Sequence, residues 1–168
     1  MTTTKLAVAR STVSTEKLAL LYGGAACGLM IGYFFLINAL GLQHYEAARF
    51  GSHAFTVLAA FFALRAFKAQ STSPAPYMPG LSLGFLVGLV ASVLFAGFLF
   101  VYANALNTRY LDELQNQTYF NGSVGAYMLA ASITLLGVVI GSLTGYILMM
   151  SEDTDGEDKE GEGLNSLD

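Results

Sequence analysis

Long segments of this chain contain no charged residue. No Lys, Arg, Asp or Glu occurs in residues 18–45, 69–108 or 114–151. A helix of about 20 apolar residues crosses the hydrocarbon core of a bilayer, and each segment is long enough to contain one. Charged residues make up 12 % of the chain, about half of their usual share in soluble domains. The sequence therefore predicts an integral membrane protein.

The apolar segments predict an all-α bundle of four transmembrane helices, arranged as two hairpins. The second span is the weakest, because its uncharged part, residues 50–64, is shorter than a full crossing and would also suit a buried or re-entrant segment. Arg49 and Arg65 at its two ends can extend to the lipid headgroups, which favours a true span. The four predicted spans are residues 18–42, 47–67, 80–106 and 124–150.

The distribution of Lys and Arg predicts the orientation in the membrane. Cytoplasmic flanks carry the excess of these residues. One side of the membrane would hold only two of them, Arg49 and Arg109. The opposite side holds Lys5, Arg10, Lys17, Arg65, Lys68 and Lys159. Both termini are therefore expected in the cytoplasm, with a basic N-terminal segment over residues 1–17 and a disordered acidic tail over residues 151–168.

The acidic tail partly matches a calcium-binding EF-hand loop that would start at Ser151. Matching residues are Asp153, Asp155, Gly156 and Glu162. Such a loop is held by flanking helices, and too few residues remain for a second helix. A solvated tail without calcium is the simpler interpretation.

Glycine recurs at every fourth position in three of the predicted spans. Residues four apart share one face of a helix, and a strip of glycines lets two membrane helices approach closely. The pattern predicts helix packing, with one strip available for self-association or for a partner subunit. The predicted packing residues are Gly24, Gly28, Gly32, Gly80, Gly84, Gly88, Gly137, Gly141 and Gly145.

Polar residues are expected to gather at the outer ends of the spans. These are Asn38, Glu46, Arg49, His53 and Asn104. They could form an external binding site, a pH-sensitive cluster around His53, or a metal site that includes His44, although the spacing matches no familiar ligand motif. The simplest alternative is that they bond to headgroups and water.

Several function classes are excluded by what the sequence lacks. No acidic residue lies inside a predicted span, which argues against a proton- or cation-coupled transporter. No nucleophile–base pair, His-rich metal signature or phosphate loop occurs, so we expect neither an enzyme nor a cofactor. No basic patch is dense enough to indicate nucleic acid.

The chain also resembles a known family. The shared features are a basic flank before a Gly-rich first span, the segment Asn38–Leu42 at its exit, the segment Gly84–Leu89 in the third span, and the segment Leu111–Gln115 before a Gly-rich last span. These features resemble the four-helix inner-membrane proteins of Bacteroidota that form domain of unknown function family 4199. The resemblance implies four spans in a bacterial inner membrane, and it implies no activity and no functional residues.

Taken together, these patterns favour a non-enzymatic membrane subunit that binds a partner or a second copy of itself through a glycine face. A small channel or uncoupled transporter is the alternative, with Asn38, His53 and Asn104 at an outer vestibule. We also expect the glycine contacts to lie toward the cytoplasmic half of the bundle, with looser packing in the outer half.

Overall fold

A computed structural model describes residues 14–42, 45–70, 77–106 and 125–165, with Glu46, Arg49 and residues 152–165 described by their backbone alone. These residues form helices and no strand, which confirms the all-α class. The helices are α1 (Thr15–Ala39), α2 (Glu46–Phe50), a 3₁₀ turn (Gly51–His53), α3 (Ala54–Gln70), α4 (Tyr77–Val101) with a π-helical continuation (Tyr102–Leu106), and α5 (Ala126–Asn165).

Three of these helices are long and apolar enough to cross a membrane, which supports the predicted membrane character. They are Thr15–Ala39, Tyr77–Leu106 and Ala126–Ser151. The second predicted span, residues 47–67, corresponds to α2, the 3₁₀ turn and α3, which follow one another without a break over residues 46–70.

Local signals in the sequence determine where α1 begins and ends. Ser14 caps its first turn by accepting a hydrogen bond from the Lys17 backbone N–H at 3.3 Å. Gly41 has a φ of +68°, a conformation that favours glycine, and its N–H donates to the Asn38 carbonyl at 3.2 Å. The helix therefore stops at Ala39, before the predicted end at Leu42.

Helix α4 lies at the centre of the bundle. It packs against α1, α3 and α5, and α3 also contacts both α1 and α5, whereas α1 and α5 have almost no contact with each other. One core cluster, near the start of α4, is built on small residues such as Ala60, Ala63 and Ala91. The other, near the end of α4, is built on aromatic residues such as Phe34 and Phe95.

The C-terminal segment differs from its prediction. Helix α5 continues through Asn165, whereas residues 151–168 were expected to be disordered; residues 166–168 lie outside the described part. A helix that is already formed can lengthen without a new nucleation step. The tail is rich in Glu, a good helix former, so its negative charge does not by itself prevent the tail from forming a helix.

Candidate functional site

The closest helix contact is a glycine seam between α4 and α5. A Cβ added to Gly84 would lie 2.7 Å from the Gly145 Cα and 2.8 Å from the Gly141 carbonyl oxygen. A Cβ added to Gly88 would lie 2.5 Å from the Gly137 carbonyl oxygen. These atoms belong to the backbone, which cannot turn aside as a side chain can. Two of the three predicted glycine strips thus face each other, and their close approach depends on the missing side chains.

The seam is bounded by side chains that lie against its terminal glycines. The Met149 thioether covers Gly80 at one end, and Ser92 packs against Gly137 at the other. Ser92 is fully buried, and its hydroxyl donates to the Gly88 carbonyl at 2.7 Å. Serine hydroxyls inside helices commonly bond in this way to a carbonyl of the preceding turn.

The glycine strip of α1 has a different environment. An added Cβ at Gly24, Gly28 or Gly32 would meet no atom within 4 Å. These three glycines therefore do not pack inside the described bundle, and theirs is the strip that remains available for self-association or for a partner subunit. Helix α1 instead uses Gly23, where a Cβ would lie 2.8 Å from the Val90 Cβ.

The glycine strip of α1 lies on an outward face. Leu21 and Phe35 lie on the same face, each three residues beyond an end of the strip, and they are 66 % and 47 % exposed. We call this surface the α1 glycine face: Leu21, Gly24, Gly28, Gly32 and Phe35. It is a shallow groove of bare backbone between two large apolar side chains, and nothing in the described part of the chain covers the glycines.

Asn38 and Asn104, two of the predicted outer polar residues, bond to different partners. The Asn38 side-chain amide donates to the Tyr102 hydroxyl at 3.5 Å, which links α1 to the π-helical end of α4. Asn104 is exposed, and its amide donates to the Phe100 carbonyl of its own helix at 2.8 Å. The side chains of Glu46 and Arg49 lie outside the described residues. The outer polar cluster, and the vestibule of Asn38, His53 and Asn104, therefore stay predictions.

His53 is the buried member of this predicted set. It is 8 % exposed, and its Nδ1 is buried without a hydrogen-bond partner among the described residues. Leaving such an atom unpaired costs about 1–3 kcal/mol. Thr56 lies one turn further on; it is fully buried, and its hydroxyl donates to the Met30 sulfur at 3.7 Å.

Tyr33 positions the segment that carries His53. Its hydroxyl donates to the Ala48 carbonyl at 2.7 Å, and its ring packs edge-on against Phe55 with the centroids 5.7 Å apart. A Cβ on Gly51 would lie 2.6 Å from the same hydroxyl. One tyrosine of α1 therefore fixes α2, the 3₁₀ turn and the start of α3. Sequence reasoning missed Tyr33, because only the bundle brings these positions together.

The described side chains do not form the predicted kind of metal site. Across residues 14–42, 45–70, 77–106 and 125–151, no group of three or more His, Cys, Asp or Glu side chains is placed to hold a metal ion. His44, part of the predicted metal set, lies outside the described residues.

No family model, curated protein or solved structure matches the chain. The resemblance to domain of unknown function family 4199 therefore stays a prediction.

Proposed function

We propose that this chain is a four-span protein of a bacterial inner membrane, with both termini in the cytoplasm, and that its role is to bind another membrane helix. The α1 glycine face is the binding surface, and a second copy of the chain is the partner. The protein acts as a non-enzymatic subunit of an assembly.

The contrast between the glycine strips carries this proposal. In the described bundle, the strips of α4 and α5 are covered by the opposite helix, whereas Gly24, Gly28 and Gly32 face open space. Glycine is a poor helix former, and exposure to lipid alone gives no reason for three of them on one face. In membranes, strips of this spacing let helix backbones approach closely where apolar lipid provides no other driving force.

A second copy is the partner that fits this face most directly. Symmetric dimers bring the same surface of both subunits together, so one face must complement itself. Two copies inserted in the same direction present α1 in parallel, the arrangement in which glycines at every fourth position pair. Leu21 and Phe35 at the two ends of the groove would then pack against their counterparts.

Residues 46–70 support the four-span part of the proposal. At about 1.5 Å per residue, this continuous helical segment is roughly 37 Å long, enough to cross the hydrocarbon core. It packs against α1, α4 and α5. Near its end, the Lys68 ammonium donates to the Leu148 carbonyl at 3.3 Å, close to where the apolar part of α5 ends at Ser151.

Crosslinking in native membranes tests the proposal. The parent protein carries Cys27→Ala, which removes the only thiol, and Leu21→Cys, which places one on the α1 glycine face. Mild oxidation should give a covalent dimer. Adding Gly28→Leu should reduce the dimer about fivefold or more, because the new side chain separates the two backbones.

Gly97→Leu is the matched control for this experiment. Gly97 is also exposed, with no atom within 4 Å of an added Cβ, but it lies on α4. Its substitution should leave the dimer unchanged. A parent that gives no dimer, or a dimer that Gly28→Leu leaves intact, would overturn self-association through this face.

A further inference from the structure

The interface between α1 and α3 contains a sulfur atom that is oriented by a hydroxyl. Met30 is completely buried, and its Sδ accepts a hydrogen bond from the Thr56 hydroxyl at 3.7 Å. The thioether therefore points toward α3. Thr56 engages one of the two lone pairs on this sulfur.

His53 lies one helical turn before Thr56, on the same face of this segment. Its Nδ1 is buried and has no hydrogen-bond partner within the described residues. Buried polar atoms in proteins are nearly always paired, and ionisable residues inside membrane segments usually mark a functional site. An imidazole nitrogen with a free lone pair is also a metal ligand.

We propose that Met30 and His53 form a binding site for a monovalent soft metal ion, with Cu(I) as the physiological ion. Thioether sulfur selects soft ions such as Cu(I), and imidazole nitrogen also binds copper. A single positive charge is less costly to bury in an apolar site than a double charge. Thr56 acts as a positioning residue, because its hydrogen bond orients the sulfur.

This site is independent of the α1 glycine face. Met30 and His53 lie on the buried side of their helices, and the glycine face lies on the outer side of α1. A failed crosslinking experiment therefore leaves the metal site standing, and the reverse also holds.

Silver binding by the purified full chain tests the proposal. Ag(I) has the charge and the ligand preference of Cu(I) without its redox chemistry. Cys27→Ala serves as the parent, since the free buried thiol at Cys27 would bind silver by itself. Equilibrium dialysis with elemental analysis should give one ion per chain. We expect His53→Leu and Met30→Leu each to weaken binding by about tenfold or more.

Two controls keep the outcome interpretable. Met149→Leu removes a methionine that is also buried but belongs to the other core cluster, and this variant should bind silver as the parent does. Gel filtration and thermal unfolding show whether each variant still folds; His53→Leu removes an unpaired buried atom and should fold at least as well.

A nuclear magnetic resonance titration supplies the direct readout. The Nδ1 resonance of His53 and the methyl resonance of Met30 should both shift as Ag(I) is added. No binding by the parent, unchanged binding in folded His53→Leu, or shifts confined to other residues would overturn the site. In those cases the free Nδ1 bonds a buried water instead.

Discussion

At the scale of single residues, Gly23 and Gly24 are neighbours in sequence with opposite surroundings. A methyl group on Gly23 would meet the Val90 Cβ at 2.8 Å and the Val87 carbonyl oxygen at 3.1 Å, whereas a methyl group on Gly24 would meet nothing within 4 Å. The first glycine allows α1 to approach α4. The second leaves the backbone of α1 open to whatever lies outside the bundle.

Alanine substitutions at these two positions should therefore separate folding from assembly. We expect Gly23→Ala to lower the free energy of unfolding by about 1–3 kcal/mol, because the helices must move apart. Gly24→Ala should leave the stability of the single chain unchanged. Detergent-titration unfolding followed by circular dichroism measures both, and equal destabilisation by the two variants would contradict the packing described for α1.

The sequence predicts only in part which glycines lie in helix contacts. The spacing of four correctly indicated faces on α4 and α5 that meet, because glycine strips on two adjacent helices can cover each other. On α1 the glycines with this spacing lie on the face that points away from the bundle. A second signal was present in Ala19, Gly23 and Ala26, all of which are buried, but small residues at such spacing also occur on lipid-facing surfaces, and only the position of α4 distinguishes them.

At the scale of elements, the start of the second helical segment is held by a hydroxyl and a glycine together. The Tyr33 hydroxyl reaches the Ala48 carbonyl because Gly51 has no side chain in its path. The two residues belong to α1 and to the 3₁₀ turn, so they join the two arms of the first hairpin. The placement of His53, two residues after Gly51, depends on this contact.

A double-mutant cycle tests this contact. Tyr33→Phe should cost about 0.5–1.5 kcal/mol of unfolding free energy, since it removes one hydrogen bond. Gly51→Ala should cost about 1–3 kcal/mol, because the new methyl group would lie 2.6 Å from the hydroxyl. In the double variant the nearest ring atom is 3.3 Å away, so the two costs should not add.

The same unfolding assay supplies the control for this cycle. Gly97→Ala adds a methyl group where an added Cβ has open space, and it should combine additively with Tyr33→Phe. Additive costs for Tyr33→Phe and Gly51→Ala would show that the two residues do not interact.

Elements were easier to predict than the site. Uncharged segments defined the long helices, because apolar composition is a property of the local chain. The burial of His53 and the bond from Thr56 to Met30 depend on how α1 and α3 meet in space, so no local pattern contained them. The bond from Asn38 to Tyr102 depends in the same way on how α1 and α4 meet.

At the scale of the whole molecule, the two ends of the bundle are packed by different means. Glycine and alanine bring the helices close near the start of α4, while Phe34, Phe98 and Tyr102 fill wider gaps near its end, with the Phe34 and Tyr102 ring centroids 5.0 Å apart. If both termini are cytoplasmic, the close contacts lie in the inner half and the aromatic contacts in the outer half. The orientation of the chain thus depends on whether residues 46–70 cross the membrane.

Reporter fusions decide between three and four crossings. With four, a fusion after Asp168 lies on the same side as the N-terminus; with three, it lies on the opposite side. We expect a C-terminal green fluorescent protein to fluoresce and a C-terminal alkaline phosphatase to be inactive in a bacterial host, since the first requires the cytoplasm and the second the periplasm. A phosphatase fused after Glu113, between α4 and α5, should be active. Active phosphatase after Asp168 would show that residues 46–70 are buried in the bundle and do not cross the membrane.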